Sequence, residues 1–297
     1  MAVSQIVLGT AQLGMDYGIA NAMGRPSGEA ARRIVQTAWL NGIRCFDTAQ
    51  AYGVSETVLG DALSLCADSR PEIVSKLAAN VSVNDVDAVM MAVHGSLKRL
   101  RTERLWGLML HDEEALDAWV DGKARGLDAL KDSGLVEHLG ISVYSAERAI
   151  DALGFDEVTI IQVPANLFDR RMARAGVFEK AASLQKTVFV RSVFLQGLVF
   201  LTPNVANRIP NGRKAVLALH DFCSRNQLDV RSFSMHHVCY GAPGAQLVVG
   251  AETAVQVGEN CRAFADVMPA PSIHEEWNQL WPNDYIELLD PRRWPKK

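Results

Sequence analysis

The sequence predicts an α/β protein, a single-domain (β/α)8 TIM barrel, and two observations carry this prediction. Eight short apolar segments rich in Val, Ile and Leu alternate with helical segments along the 297 residues. Continuous apolar runs of strand length are typical of parallel strands that helices cover on both faces. Six of the runs lead into a polar residue, and in such folds ligands bind at the carboxyl ends of the strands. These polar residues therefore predict one shared site.

The predicted units follow one another in regular order. The first strand covers 6–10, and its helix over 28–42 has Ser27 as a candidate N-cap and Gly42 beyond its end. The later strands are predicted at 43–47, 72–76, 105–110, 137–142, 158–162, 187–191 and 246–250. Their helices are predicted at 55–66, 83–100, 113–134, 145–154, 175–185, 213–227 and 253–266. Eight units suit a barrel of about 250 residues. An open doubly wound sheet is the alternative, but no GxGxxG motif follows the first strand.

Two segments are longer than ordinary connections. The stretch 194–212, after the seventh strand, is too long for a simple turn and is predicted to be a lid or binding loop. The tail from about 268 to 297 carries four large aromatic residues, Trp277, Trp281, Tyr285 and Trp294. We expect a packed terminal helix there, with a substrate-facing edge as the alternative. No linker divides the chain, so we expect one domain over 1–297.

Composition narrows the class of partner. The formal net charge is −4, with 48% hydrophobic and 22% charged residues, and no basic stripe for nucleic acid or polybasic membrane patch is present. No run of about eighteen apolar residues and no basic leader occurs. The five cysteines are widely spaced and form no CxxC, which favours a reducing compartment. We expect a cytoplasmic protein with a small-molecule partner; nothing in the sequence indicates an oligomeric state.

One motif is specific. FDTAQAYGVSETVLGDAL (46–63), with Lys76 ending the next strand and His111 following the one after, closely resembles the aldo-keto reductase superfamily. Asp47, Tyr52, Lys76 and His111 match the tetrad of that family in order and strand position. The resemblance extends over nearly the whole chain, through LGTAQLG (8–14), QVPANLFDRR (162–171), SVFLQGL (192–198) and VVGAETAVQVGEN (248–260). It implies a barrel enzyme that reduces an aldehyde or ketone with a nicotinamide cofactor and no metal.

The tetrad also has a physical rationale. A carbonyl group that accepts hydride develops negative charge on its oxygen, and a positioned acid must protonate that oxygen. A tyrosine has a reference pKa near 10, and an ammonium such as Lys76 is expected to lower the pKa of Tyr52. Asp47 would hold that ammonium by an ion pair. His111 would donate a further hydrogen bond to the oxygen.

The resemblance also implies cofactor-binding positions. Ser142 and Gln162 match residues that bind the nicotinamide carboxamide, although Val143 stands where many relatives have Asn. Arg191 replaces a stacking aromatic residue, and its charge would disfavour the oxidised, cationic nicotinamide, which favours the reductive direction. The other matched positions are Thr10, Asp47, Ser192, Gln196 and Gly197, and, at the adenosine end, Gly250, Glu252, Gln256, Glu259 and Asn260.

The resemblance to the family predicts which nucleotide binds, but one residue conflicts with that prediction. NADPH is expected and NADH is the alternative. Glu252 lies where the 2′-phosphate of NADPH is anticipated, and a carboxylate there would repel it. Arg262 or Arg213 could supply compensating positive charge.

Two rival functions and one candidate metal site are considered beside carbonyl reduction. A regulatory subunit that binds the nucleotide on the same fold, as potassium-channel β subunits do, would show negligible turnover. A Schiff-base aldolase would use Lys76 as its nucleophile. A metal site at His220, His236 and His237 lacks a carboxylate or cysteine at ligand spacing, so core or surface positions are expected for these histidines.

The substrate is expected to be set by three segments: 111–119, 194–212 and the aromatic tail. The stretches GTAQLGMDYGIAN and GISVYS resemble those of bacterial relatives associated with sugar or surface-polysaccharide metabolism. A sugar-derived carbonyl compound is therefore the expected substrate.

Overall fold

The computed structural model describes residues 5–295, and within them eight parallel strands close into a barrel. Each strand pairs with the next, and the first pairs with the eighth, with Gly9 opposite Gly250. This closure confirms the predicted barrel and excludes an open sheet. The strands are β1 (Ile6–Gly9), β2 (Cys45–Asp47), β3 (Glu72–Leu77), β4 (Leu105–Leu110), β5 (Val136–Ser142), β6 (Ile160–Pro164), β7 (Thr187–Arg191) and β8 (Gln246–Gly250).

Helices surround the barrel and extend into its loops. They are α1 (Ala11–Gly14), α2 (Gly28–Leu40), α3 (Ser55–Cys66), α4 (Val86–Leu100), α5 (Leu116–Val120), α6 (Arg125–Ser133), α7 (Ala146–Leu153), α8 (Arg171–Arg174), α9 (Val177–Ser183), α10 (Pro203–Ala206), α11 (Gly212–Arg225), α12 (Val230–Gly241), α13 (Ala254–Ala265), α14 (Pro271–Leu280) and α15 (Ile286–Leu289). Short 3-10 helices cover Glu113–Ala115, Leu195–Phe200 and Pro291–Arg293. No helix among residues 5–295 is long and apolar enough to span a bilayer.

Two helical predictions need correction. The single helix predicted over 113–134 is divided into a 3-10 turn, α5 and α6, and Gly122 adopts a left-handed φ of 65° at the break. Glycine tolerates this conformation, which interrupts the helix. Helix α12, between α11 and β8, was not predicted. The predicted cap of α2 is confirmed, because the Ser27 side chain accepts a hydrogen bond from the Ala30 N–H.

The inside of the barrel is built in layers. Its apolar layer includes Cys45, Val74, Met109, Ile160 and Phe189, all buried. Side chains alternate between the two faces of a strand, so the residue two positions further on points to the same side. The residues two positions beyond this layer are Asp47, Lys76, His111, Gln162 and Arg191. Five of the six predicted strand-end residues thus form the next layer, at the carboxyl end of the barrel.

The tail forms a second apolar cluster on the outside of the barrel. Trp277 and Trp281 are buried against Phe168, and the Trp277 indole N–H donates to the Leu167 carbonyl oxygen at 2.8 Å. Trp294 is also buried, and its indole N–H donates to the Leu288 carbonyl oxygen at 3.1 Å. The expectation of a packed terminal helix is therefore confirmed. Lys296 and Lys297, at the end of the tail, lie outside the described residues.

The histidines considered for a metal site do not converge. His220 donates to the Val199 carbonyl oxygen, and His236 is buried against the Phe264 carbonyl oxygen. His237 is buried beside His274, with 3.2 Å between their Nδ1 atoms. Burial lowers the pKa of His237 to about 3 and that of His274 to about 4.

The buried pair makes stability depend on pH. Both folded pKa values lie below the 6.5 of an unperturbed histidine, so the unfolded chain takes up protons first as the pH falls. This contribution to stability is fully present above pH 6.5 and is lost as the pH falls toward 4. We expect a loss of about 2 kcal/mol per histidine between pH 7 and pH 5. His274→Phe should remove roughly half of the pair's pH dependence, measured by urea unfolding at both pH values.

The exposed His94 on α4 provides the matched control. His94→Gln should leave the pH dependence unchanged. The interpretation would be wrong if His274→Phe lost as much stability as the wild type between pH 7 and pH 5.

Candidate active site

A buried ion pair lies at the centre of the site. The Lys76 ammonium contacts the Asp47 carboxylate at 2.6 Å and donates to the Thr48 carbonyl oxygen at 3.0 Å. The Gln162 amide donates to the same Asp47 oxygen at 2.8 Å. The Ser142 hydroxyl donates to the Gln162 oxygen at 3.4 Å. The ends of β2, β3, β5 and β6 are thus joined by one chain of polar contacts.

Tyr52 is placed beside this ion pair by the loop between β2 and α3. Its ring centroid lies 5.2 Å from Lys76 Nζ and 5.7 Å from the His111 ring, which it meets edge to face. The loop is packed tightly against α1, since a Cβ added to Gly14 would lie 1.8 Å from the Tyr52 carbonyl oxygen. The structure therefore brings Asp47, Tyr52, Lys76 and His111 together.

The direction of the pKa shift of Tyr52 differs from the expectation. Burial, followed by the Asp47 carboxylate, raises the pKa of Tyr52 above its usual value of 10. We expected the Lys76 ammonium to lower this pKa, but its charge is compensated by Asp47, and burial disfavours the tyrosinate. Tyr52 is thus a neutral phenol at neutral pH.

Burial also shifts the pKa values of Lys76 and His111. Burial lowers the pKa of Lys76, and the Asp47 carboxylate opposes that shift. Burial, with the Lys76 ammonium next, lowers the pKa of His111 from 6.5 to about 4. His111 is therefore a neutral imidazole at pH 7, with one ring N–H available to donate.

A cavity of about 450 Å³ extends from the tetrad to the start of α13. Eleven of the predicted site residues line it: Thr10, Asp47, Tyr52, Gln162, Arg191, Ser192, Gln196, Gly197, Gly250, Glu252 and Gln256. Five others do not line it: Lys76, His111, Ser142, Glu259 and Asn260. Lys76 is fully buried behind Asp47.

The end of the cavity away from Tyr52 is formed by β8 and α13. The Thr253 side chain caps α13 by accepting from the Gln256 N–H, and Gln256 Oε1 accepts from the Glu252 N–H at 2.7 Å. A Cβ at Gly250 would lie 2.0 Å from the Gln12 side chain. The Gln12 side chain therefore packs directly against the Gly250 backbone.

Positive charge at this end comes from a residue that sequence reasoning missed. Arg231 lines the cavity, and it contacts Glu259 at 3.0 Å and Asn260 at 2.6 Å. The expected donors, Arg262 and Arg213, do not line this cavity, and Arg213 contacts Asn204 instead. Arg231 is on α12, and because that helix was not predicted, no sequence signal placed this residue at the site.

The 194–212 segment covers one side of the cavity. Ser192, Leu195 and Gln196 have left-handed φ values of 65°, 45° and 54°. The Gln196 carbonyl oxygen accepts hydrogen bonds from the Ile19 and Ala20 N–H groups at 3.1 and 3.4 Å. The predicted binding loop is thus ordered and is tied to the loop that follows α1.

Two further aromatic residues near the tetrad were not predicted. Tyr17 lines the cavity, and burial raises its pKa to about 12. Tyr144 follows β5 and its ring lies under Arg191, with 3.9 Å from the guanidinium carbon to the ring centroid. Both residues are on loops, where no strand periodicity predicts which way a side chain points.

The cavity fits a nicotinamide dinucleotide. It is elongated, it places polar side chains of Asp47 and Gln162 at one end, and its other end meets the amino terminus of α13. A helix amino terminus favours phosphate groups.

Comparisons with known proteins agree with this geometry. The model of the Aldo/keto reductase family matches residues 5–280. D-arabinose 1-dehydrogenase of Saccharomyces cerevisiae is 31% identical over 48% of this chain and 44% of its own length. The matched region thus spans less than half of that curated relative.

Solved structures share the fold over almost the whole chain. Glycerol dehydrogenase AKR11B4 from Gluconobacter oxydans has a TM-score of 0.75 at 20% identity, covering 98% of this chain and 99% of that one. The holo form of aldo-keto reductase AKR11C1 from Bacillus halodurans has a TM-score of 0.75 at 20% identity, covering 93% and 91%. With the family match over most of its length, this chain belongs to the aldo/keto reductase family, whose general chemistry is oxidoreduction of carbonyl groups.

Proposed function

We propose that this protein reduces an aldehyde or ketone to an alcohol with NAD(P)H, using Tyr52 as the general acid. The observation that carries the proposal is a neutral Tyr52 beside His111 and the Lys76–Asp47 ion pair, at one end of an elongated cavity. When bound, NAD(P)H supplies the hydride that adds to the carbonyl carbon.

The chain's own residues supply the proton and the orientation. The Tyr52 phenol donates its proton to the carbonyl oxygen as negative charge develops there. Neutral His111 donates a hydrogen bond to the same oxygen and so orients the carbonyl group. The Lys76–Asp47 pair fixes the floor of the site beneath Tyr52.

The raised pKa keeps Tyr52 in the phenol form. Reduction needs the phenol, which is present throughout the neutral range, whereas alcohol oxidation needs the phenolate as base. The positive charge of Arg191 acts in the same direction, because it disfavours an oxidised, cationic nicotinamide at the same wall.

The substrate class is proposed from the family and from sequence similarity. The relative with 31% identity is named for an arabinose-oxidising activity. A sugar-derived aldehyde or ketone is accordingly the first substrate to test.

The geometry of Lys76 favours reduction over Schiff-base chemistry. Its ammonium is fully buried and is bound by Asp47 and the Thr48 carbonyl oxygen. A Schiff-base nucleophile needs a free amine that the substrate can reach. The assembled tetrad likewise supports an enzyme over a regulatory subunit, and turnover on a carbonyl panel tests that choice.

Removal of the Tyr52 hydroxyl should abolish most of the turnover. We expect Tyr52→Phe to lower kcat by at least about a hundredfold, the size of a lost general acid. The dissociation constant for NADPH should stay within a few fold. Steady-state kinetics and nucleotide fluorescence titration measure the two quantities, with Tyr240→Phe, away from the cavity, as the matched control. Unchanged turnover in Tyr52→Phe would remove this residue from the mechanism.

Removal of Lys76 should affect both stability and pH dependence. Lys76→Met leaves the Asp47 carboxylate buried without its partner, which we expect to cost about 3 to 5 kcal/mol of unfolding free energy. The uncompensated carboxylate also raises the pKa of Tyr52 further, so alcohol oxidation at neutral pH should fall more than reduction. Urea unfolding and pH–rate profiles in both directions measure these effects.

The double variant Asp47→Asn/Lys76→Met is the control for the buried charge. It should recover most of the stability, because neither side chain then carries a charge. An unaltered urea midpoint in Lys76→Met would show that the ion pair does not stabilise the barrel.

NADPH is the proposed nucleotide, as the resemblance to the family implies, and Arg231, which is paired with Glu259 at 3.0 Å, lines the adenosine end. Glu252 lines the same end of the cavity and would repel a 2′-phosphate. NADH remains the alternative cofactor.

Reversal of the Glu252 charge should shift nucleotide preference. We expect Glu252→Lys to tighten NADPH relative to NADH by roughly 1 to 2 kcal/mol, about tenfold. Fluorescence titration of both nucleotides at two salt concentrations measures the ratio, and the exposed Glu276→Lys on α14 controls for net charge. A ratio that responds neither to Glu252→Lys nor to salt would place Glu252 away from the phosphate.

A further inference from the structure

Arg191 is held at the wall of the cavity by neutral groups. It ends β7 and lines the cavity together with Tyr17 and Tyr52. Its guanidinium donates to the Val143 carbonyl oxygen at 3.2 Å and to the Ser192 hydroxyl at 3.5 Å. Its flat face lies on the Tyr144 ring. The side chain is thus fixed without a carboxylate.

The charge of Arg191 is uncompensated, unlike the other cations of the site. Among residues 5–295, no carboxylate lies within ion-pair distance of Arg191, whereas Lys76 is paired with Asp47 and Arg231 with Glu259. A partly buried charge with no counter-ion is unfavourable unless a ligand supplies one.

This charge acts on the reacting groups. Burial is the largest influence on the pKa values of Tyr17, Tyr52 and His111, and the Arg191 guanidinium lowers all three. The positive charge therefore lies at the Tyr52 end of the cavity, apart from the amino terminus of α13 at the other end.

The guanidinium also has unused donors. It carries five N–H groups, and within the described residues two acceptors bind it. The remaining N–H groups can bind a carboxylate or phosphate in the planar, two-point geometry that arginine favours.

Two of the predicted substrate-determining segments contact Tyr144, whose ring lies beneath Arg191. The Tyr144 N–H donates to Glu113, in the loop after β4, at 2.8 Å. Arg292, from the tail, contacts the same ring at 3.8 Å, and Asp290 neutralises its charge through contacts of 2.8 and 3.0 Å. The loop thus contacts the Tyr144 backbone, and the tail contacts the Tyr144 ring.

We propose that Arg191 binds an anionic group of the substrate, so that the preferred substrates are carbonyl compounds that carry a carboxylate or a phosphate. This inference rests on the proposed reductase function and narrows its substrate class. Arg191 acts as a specificity-determining residue: it holds the anionic end of the molecule while the carbonyl group faces Tyr52 and His111.

Two matched substrate pairs test the proposal. D-Glyceraldehyde 3-phosphate is compared with D-glyceraldehyde, and succinic semialdehyde with butanal, by kcat/KM at saturating NADPH. We expect the wild type to prefer the anionic member of at least one pair by about tenfold or more, and Arg191→Gln to lower that ratio by about tenfold. If Arg191→Gln lowers the ratio of the first pair, the anionic group that Arg191 binds is a phosphate. If it lowers the ratio of the second pair, the group is a carboxylate.

Arg292→Gln is the matched control, because Arg292 contacts the same ring but its charge is neutralised. It should retain the wild-type ratio. Wild-type ratios near one, ratios that survive Arg191→Gln, or an equal loss in Arg292→Gln would each overturn the proposal. A weaker NADPH affinity in Arg191→Gln with an unchanged ratio would assign Arg191 to the cofactor instead.

A separate measurement distinguishes this inference from the proposed function. If no carbonyl compound is reduced, the reductase proposal fails, and the anion site is then measured by calorimetric titration of the NADPH-loaded protein with succinate and with inorganic phosphate. Binding of either anion that Arg191→Gln abolishes and Arg292→Gln retains supports the anion site. Absence of binding for both anions overturns it.

Discussion

The site depends on a single buried ion pair, that between Lys76 and Asp47. Removing two charges from water is costly, and their attraction offsets the cost only with good geometry and further hydrogen bonds. Here the contact is 2.6 Å, and the Thr48 carbonyl oxygen and the Gln162 amide satisfy part of the remaining hydrogen-bonding capacity. The pair links three strand ends and forms the floor beneath Tyr52. It also explains why the Lys76 charge does not generate a tyrosinate: the nearest carboxylate already compensates it.

The alternation of side chains between the two faces of each strand places this pair inside the barrel. An apolar layer fills the inside, and in five of the strands a polar side chain two residues further along lies in the next layer. Cys45 is thus followed by Asp47, and Val74 by Lys76. The segment after β7 then covers one side of the cavity, and Tyr52 lines the same cavity.

The sequence was sufficient to predict the barrel, and also that Asp47, Tyr52, Lys76 and His111 lie together, because strand ends can be identified from apolar runs and Tyr52 lies in a specific motif. Arg231 could not be predicted, since its helix α12 lies outside the strand and helix alternation. Tyr144 and Tyr17 are on loops whose course depends on tertiary contacts with Glu113, Arg191 and Gln196. The pKa of Tyr52 was predicted in the wrong direction, because burial and the compensation of Lys76 by Asp47 are properties of the folded chain.

The central claim is that Tyr52 gives its proton to the same carbonyl group that receives the hydride. Single-turnover oxidation of NADPH by a carbonyl substrate, followed with deuterium at the transferring position and in H2O against D2O, tests this directly. We expect deuterium at the transferring position and D2O as the solvent to slow one and the same kinetic step in the wild type. A solvent isotope effect on a step separate from nucleotide oxidation, or no nucleotide oxidation with any carbonyl compound, would contradict it.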